Sequence, residues 1–200
     1  MERPMLFSTE MVSAILNGQK TQTRRLVKSP YKSGPWAFRI NRLKATGEIT
    51  GVEEIDEEMC GTGRFVRPPC MPGDYLYIRE TWAPWSRTEG IMPTIHYKAD
   101  HETLPGVKWR PSIHMPKEVA RLWLKVTDVR IERIKDISKE DCFKEGVTKI
   151  HMRDPQLAFH KMFLRAISRE DAIRYWQNNL YVWVIEFERV ERPESKEEAK

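Results

Sequence analysis

No stretch of this chain approaches the roughly 20 consecutive apolar residues that a bilayer-spanning helix needs, so no transmembrane helix is expected. The N-terminus, MERPMLFSTEM, lacks the basic region, apolar core and small-residue cleavage site of a secretory leader. Cysteine is sparse. Cys60, Cys70 and Cys142 are an odd set without a leader, which argues against a disulfide framework and for a reducing cytosol. Cys60 and Cys70 lack the tight C-x-x-C spacing of a zinc site. His96 and His101 follow downstream, but no metal and no cofactor is expected. There is no P-loop, G-x-G-x-x-G, G-x-S-x-G or H-E-x-x-H, which removes the commonest nucleotide-binding, serine-hydrolase and zinc-protease signatures. There is also no internal repeat.

What is present describes a globular protein. At 200 residues, 40% hydrophobic and 32% charged, the chain suits one domain. Its net charge is a modest +5, but the charge is unevenly spread. Between residues 19 and 44 stand Lys20, Arg24, Arg25, Lys28, Lys32, Arg39, Arg42 and Lys44, with no acid. Residues 48–58 then hold six acids and no base. A basic block suits a polyanion such as RNA. On charge alone, a solvated face paired with the acidic block behind it is the better account.

The residue pattern predicts a helix capped by Ser8 or Thr9, carrying Met11, Val12, Ile15 and Leu16 and stopped at Asn17-Gly18. A strand over 21–27 follows. Residues 28–73 are irregular, with a hairpin expected between Trp36-Phe38-Ile40 and Ile49–Val52. A strand over Tyr75–Trp82 opens after Gly73-Asp74. Residues 83–118 hold five prolines and read as loop, with a short strand near Ile95–Tyr97. Leu122–Val126 and Val129–Ile134 are two strands or one interrupted strand. Ser138 and Asp141 open a short helix that ends at Gly146. Asp154-Pro155 opens another that runs to about Ala166, and Ser168 with Asp171 a third, carrying Ile173, Tyr175 and Trp176. Tyr181–Arg189 is apolar on both faces and reads as a central strand. The fold class expected is α+β, on a small mixed or antiparallel β-barrel with flanking helices. One domain over 1–190, an elaboration inserted at about 28–70 and a flexible tail over 191–200 complete the organisation.

The chemistry-bearing residues concentrate in GQKTQTRRL, residues 18–26. A lysine, two hydroxyls and two arginines there fit a solvated strand, a phosphate clamp or part of a catalytic site. A desolvated lysine is a base able to activate a hydroxyl, because burial and nearby cations lower its pKa. Arg24 and Arg25 are such cations and also suit bidentate phosphate contacts. In a regular strand, however, Lys20 and Thr23 face opposite ways. They converge only if Lys20 lies in the turn after Gly18. By residue type alone, a surface strand is the better reading. Glu80-Thr81-Trp82 and the Trp109-Arg110-Pro111-Ser112-Ile113-His114-Met115 segment supply further polar and aromatic groups, with Trp109 able to stack a base or simply to plug a barrel end. His114 is a hydrogen-bonded loop residue or a base. Glu145 stands just before the helix-ending Gly146. Trp123, Trp176 and Trp183 read as core.

Taken together and in order, MLFSTEMVSAILNGQKTQTRR, PGDYLYIRETW, WRPSIHMP, LKVTDVRIERIKDISKEDCFKEGV and VWVIEFERV resemble ASCH-domain proteins, and most of all their phage- and prophage-encoded branch. The resemblance covers most of the chain outside residues 28–70 and the tail. It implies a PUA-like barrel with a cleft and a relation to RNA. It also implies hydrolysis of an N-acyl group on a modified nucleoside, such as N4-acetylcytidine, since small members of the family are amidohydrolases of that kind. Others are ribonucleases, and a non-catalytic RNA-binding module is a third possibility. Matched by motif, the family's working residues fall on Lys20, Thr23 and Glu145. Thr21, Arg24, Arg25, Glu80, Trp82, Trp109, Arg110, Ser112 and His114 are the expected substrate contacts. The partner expected is a modified nucleoside or RNA, with no membrane. The chain is about twice the size of the minimal amidohydrolases.

Overall fold

The computed structural model describes residues 1–27, 37–42, 49–55, 61–85, 94–101, 104–148, 153–167, 172 and 177–194. Its main sheet has five strands in the order β1-β6-β9-β10-β2. These are β1 (Glu2–Leu6), β6 (Tyr75–Arg79), β9 (Trp123–Arg133), β10 (Tyr181–Val190) and β2 (Gln22–Leu26). A second sheet joins β3 (Ala37–Arg42), β4 (Ile49–Ile55) and β5 (Gly61–Val66), and a ribbon pairs β7 (Trp82–Trp85) with β8 (Thr94–Tyr97). The α-helices whose bounds lie among the described residues are α1 (Thr9–Leu16), α2 (Lys139–Lys144) and α3 (Pro155–Arg165). The class is α+β. Among the described residues no helix is long and apolar enough to cross a membrane.

The centre of the sheet follows from the two apolar faces of β10. Tyr181, Trp183, Ile185 and Phe187 join the larger core with Val12 and Ile15 of α1, Leu76 and Ile78 of β6, and Leu124 and Val126 of β9. Val182 and Val184 face the other way, against Ile137, Cys142 of α2 and Phe159 of α3. Each fully buried valine or isoleucine here contributes about 1.5–3 kcal/mol. That two-sided burial makes β10 central, flanked by β9 and β2. The helix signals act as read. Ser8 accepts from the Met11 amide and Ser138 from the Asp141 amide, while Asp154 caps α3 with Pro155 at its start.

Several elements differ from the sequence expectation. β1 carries only a partial apolar pattern and is formed by parallel pairing with β6, a long-range partner. The strand opening at Tyr75 stops at Arg79, and Trp82 begins a different strand that pairs with β8. β9 is one strand, and a bulge opposite Glu186 and Phe187 absorbs the Thr127-Asp128 irregularity. The hairpin of β3 and β4 places Ile40 opposite Val52 as expected, and β5 extends it. Ile49, Val52 and Cys70 belong to the larger core, so this elaboration packs on the main sheet. Trp36, Cys60, the expected helix from Ser168 through Trp176 and the last residues of the tail lie outside the described residues.

Two features of the sheet position the site. β6 and β9, β9 and β10, and β10 and β2 are antiparallel pairs, whereas β1 is parallel to β6. The ends of β1 and β6 and the start of β2 therefore share one end of the sheet. The sheet is also curled. β1 and β2 are its opposite edges, yet Arg25 of β2 donates to the Leu6 carbonyl of β1 at 2.6 Å.

Candidate active site

Gly18, at φ 69°, closes α1 in the left-handed conformation. The chain turns there and Lys20 enters before β2 begins. Lys20 does not extend β2. It pairs with Glu145 through an isolated antiparallel bridge, and the Thr21 amide donates to the Lys144 carbonyl at 2.9 Å. The end of α2 is thus stitched to the start of β2. Gly146 is required at the stitch: its φ is 97°, and an added Cβ would lie 3.1 Å from the Ala14 Cβ and 3.5 Å from the Lys20 Cβ.

The result is a buried ion pair between residues 125 positions apart. Lys20 Nζ donates to Glu145 Oε2 at 2.7 Å and to the Glu145 carbonyl at 2.8 Å. The side chains are 0% and 3% exposed. Burial pushes the Lys20 ammonium below its ordinary value, against the pull of Glu145, with Arg25 and Arg24 adding to the depression. Glu145 Oε1 accepts from Arg24 at 3.0 Å. The second Arg24 nitrogen donates to Glu132 at 2.8 Å and to Asp141 at 3.1 Å. Arg130 binds the same two carboxylates.

This overturns the reading of GQKTQTRRL as a surface strand. Lys20, Thr23 and Arg24 are all buried. Arg24, expected at a phosphate, has its guanidinium enclosed by three carboxylates. Thr21 is exposed, and its carbonyl accepts from the Phe187 amide. Thr23 stands opposite Ile185 and Arg25 opposite Trp183, so both side chains face the larger core. Arg25 and Lys20 flank the Phe7 ring, at 5.0 and 5.9 Å from its centroid. Among the described residues no hydrogen bond joins Thr23 to Lys20 or Glu145.

The other expected contacts form a neighbouring cluster at the same end of the sheet, since Phe7 donates its amide to the Arg79 carbonyl. Glu80 is buried, held bidentately by Arg121 at 2.9 and 3.1 Å, with Asp100 on the far side of that guanidinium. Burial raises the Glu80 pKa, which Arg121 opposes. Trp82 is buried too, with Arg110 over its ring at 5.2 Å and paired to its backbone, so its face is already covered. Trp109 and Ser112 are half-buried and His114 is exposed. Arg79 ties this loop to β6 by donating to the Ile113 and Met115 carbonyls. Tyr97 stacks on Arg121 at 4.0 Å. Among the described residues no three His, Cys, Asp or Glu side chains converge as metal ligands.

A cleft of about 850 Å³ opens between α1 and α3, with Met11, Ala14, Leu157, Lys161 and Arg165 on its walls and Glu145 on its floor. Glu132, Asp141, Phe7 and Arg121 were not anticipated from the sequence. The alternation of Arg130 with Glu132 on β9 was the one local hint. No family model, curated protein or solved structure matches the chain.

Proposed function

We propose that this protein hydrolyses an N-acyl group on a modified nucleoside, with N4-acetylcytidine as the leading substrate, and that it is an ASCH-like protein of the phage and prophage type acting in the cytosol. The observation that carries this reading is the buried Lys20–Glu145 pair. A neutral lysine amine has two N–H groups and one lone pair. Both N–H groups go to Glu145, at its carboxylate and its carbonyl, which leaves the lone pair free to accept a proton. The ammonium rests on Glu145, and desolvation eases its conversion to the neutral form that reacts. The main sheet is not closed by pairing of β1 with β2, and the barrel-like part of this reading rests on its curl, which brings Arg25 to the Leu6 carbonyl.

Lys20 takes a proton from the attacking hydroxyl, which belongs to Thr23 or to a water. The oxygen adds to the acetyl carbonyl, and Arg25 faces the developing oxyanion. The C–N bond breaks as the proton passes through Glu145 to the departing cytosine amine. Water attack yields acetate and cytidine directly, while Thr23 attack yields an acetyl ester that a second water hydrolyses. Thr23→Val separates the two, abolishing turnover only if Thr23 is the nucleophile.

The test is incubation with N4-acetylcytidine and, separately, with mixed RNA, both followed by mass spectrometry. Cytidine formed by the wild type and lost in Lys20→Met and Glu145→Gln supports the reading. Unchanged deacetylation in those variants removes it. Cleaved RNA indicates a ribonuclease, and salt-sensitive RNA retention without any product indicates a binding module.

A further inference from the structure

Arg24 makes a contact that substrate binding does not require. Its guanidinium is 0% exposed, holds Glu145 Oε1 at 3.0 Å and is anchored behind by Glu132 and Asp141. Those two carboxylates are themselves clamped by Arg130, which also binds Glu186 of β10 at 2.6 Å. Glu145 hangs at the C-terminal end of a helix of six residues, and its carboxylate would otherwise be free to rotate about its terminal bond. A fork donor fixes that rotation, because a planar guanidinium delivers its N–H groups along set directions. With Oε1 taken, Oε2 is the oxygen presented to Lys20.

We propose that Arg24 is a positioning residue: it locks the Glu145 carboxylate so that one oxygen faces Lys20 Nζ, and it transmits to that pair the rigidity of the ion network spanning β2, β9, β10 and α2. This rests on the reading that Lys20 and Glu145 carry the chemistry. Arg24 is bonded to Oε1 and not to Lys20 Nζ or Oε2, the two atoms between which the proton passes. Its influence runs through the angle and distance of the Lys20–Glu145 contact, on which proton transfer depends steeply.

The experiment compares wild type, Arg24→Lys and Arg24→Ala, with Arg133→Met as an arginine removed outside the network. Turnover of N4-acetylcytidine is expected to fall about 10–100-fold in kcat in Arg24→Ala, as for groups that orient catalytic ligands, with KM within about 3-fold of wild type. Arg24→Lys keeps the charge but not the fork, and is expected to recover only part. Added guanidinium at millimolar concentration restores Arg24→Ala and leaves Arg133→Met unchanged. A second readout needs no substrate: the side-chain carbon resonance of Lys20, assigned with Lys20→Met, titrates at lower pH in Arg24→Lys than in wild type, because the neighbouring cation is kept while the hold of Glu145 on the Lys20 ammonium loosens. Full kcat in Arg24→Ala, or a loss confined to KM, overturns the proposal. If the wild type does not act on N4-acetylcytidine, the functional reading fails by itself, and an unmoved Lys20 titration then overturns the positioning role. If Arg24→Ala does not fold, Arg24→Lys decides by the same two readouts.

Discussion

Glu145→Gln and Lys20→Met remove opposite halves of one buried pair, and the structure predicts unequal costs. Among the described residues Lys20 has a single carboxylate partner, whereas Glu145 has two cations, Lys20 at 2.7 Å and Arg24 at 3.0 Å. In Glu145→Gln an enclosed ammonium is left beside a neutral amide and two guanidinium groups. Removing one partner of a buried pair costs about 3–5 kcal/mol. Lysine also has an escape, because it can shed its proton. Holding it neutral costs about 1.4 kcal/mol for each pH unit below the ordinary lysine value of 10.5, so the penalty is capped near about 5 kcal/mol at pH 7 and about 2 kcal/mol at pH 9. The sign follows from the lowered pKa. The unfolded chain binds the extra proton, so stability rises with pH up to the unfolded value. Lys20→Met places a flexible apolar chain in the same space, removes the desolvation and leaves Glu145 on Arg24, at a cost of about 2 kcal/mol or less. Urea unfolding followed by tryptophan fluorescence at pH 7 and pH 9 measures all of this. For a chain of this size, 3–5 kcal/mol corresponds to about 6–20 °C in Tm. A larger cost for Lys20→Met than for Glu145→Gln, or a Glu145→Gln penalty that does not shrink at pH 9, refutes the reasoning.

Other consequences are simpler to check. Burial lowers the His160 pKa, so folding keeps it neutral; stability is retained above its ordinary value of 6.5 and lost as pH falls below it, and His160→Leu should flatten urea midpoints between pH 7 and pH 5. Burial pushes the Cys70 thiol up to about 12 and the Cys142 thiol up to about 11, so peptide mapping after iodoacetamide at pH 8 should find both unmodified in the native protein and alkylated in urea. Gly146→Ala combines a left-handed backbone with a 3.1 Å contact on Ala14, and should cost about 1–3 kcal/mol in urea while weakening the contact between α2 and β2; a neutral result contradicts the stitch. Ser138→Ala removes the α2 cap and should cost about 1 kcal/mol by the same assay.

Much was legible in the chain itself, and for local reasons. The Ser8, Ser138 and Asp154 caps, the glycine stops at Gly18 and Gly146, and the two-faced apolar run of β10 are all signals within a few residues of the structure they specify. They suffice for the α+β class, for three helices and for the centre of the sheet. β1 escaped because it is made by pairing with β6, some 70 residues away, and its own composition does not demand a strand. Trp82 was placed on the wrong strand because the ribbon it joins is set by a partner at Tyr97.

The site divides the same way. The family that the motifs resemble pointed to Lys20, Thr23 and Glu145, whereas residue types alone favoured a surface strand for Lys20, Thr23 and the neighbouring cations. Only the tertiary structure enclosed Lys20 and Arg24, because their solvation is decided by what packs over them. The end of α2 arrives more than 100 residues later in the chain, carries Glu145 into contact with both, and sets Glu132 and Asp141 behind Arg24. Charge along a sequence is a count of groups. Whether a lysine is a solvated cation or a desolvated base depends on the dielectric and the partners around it, and those exist only once distant segments have met.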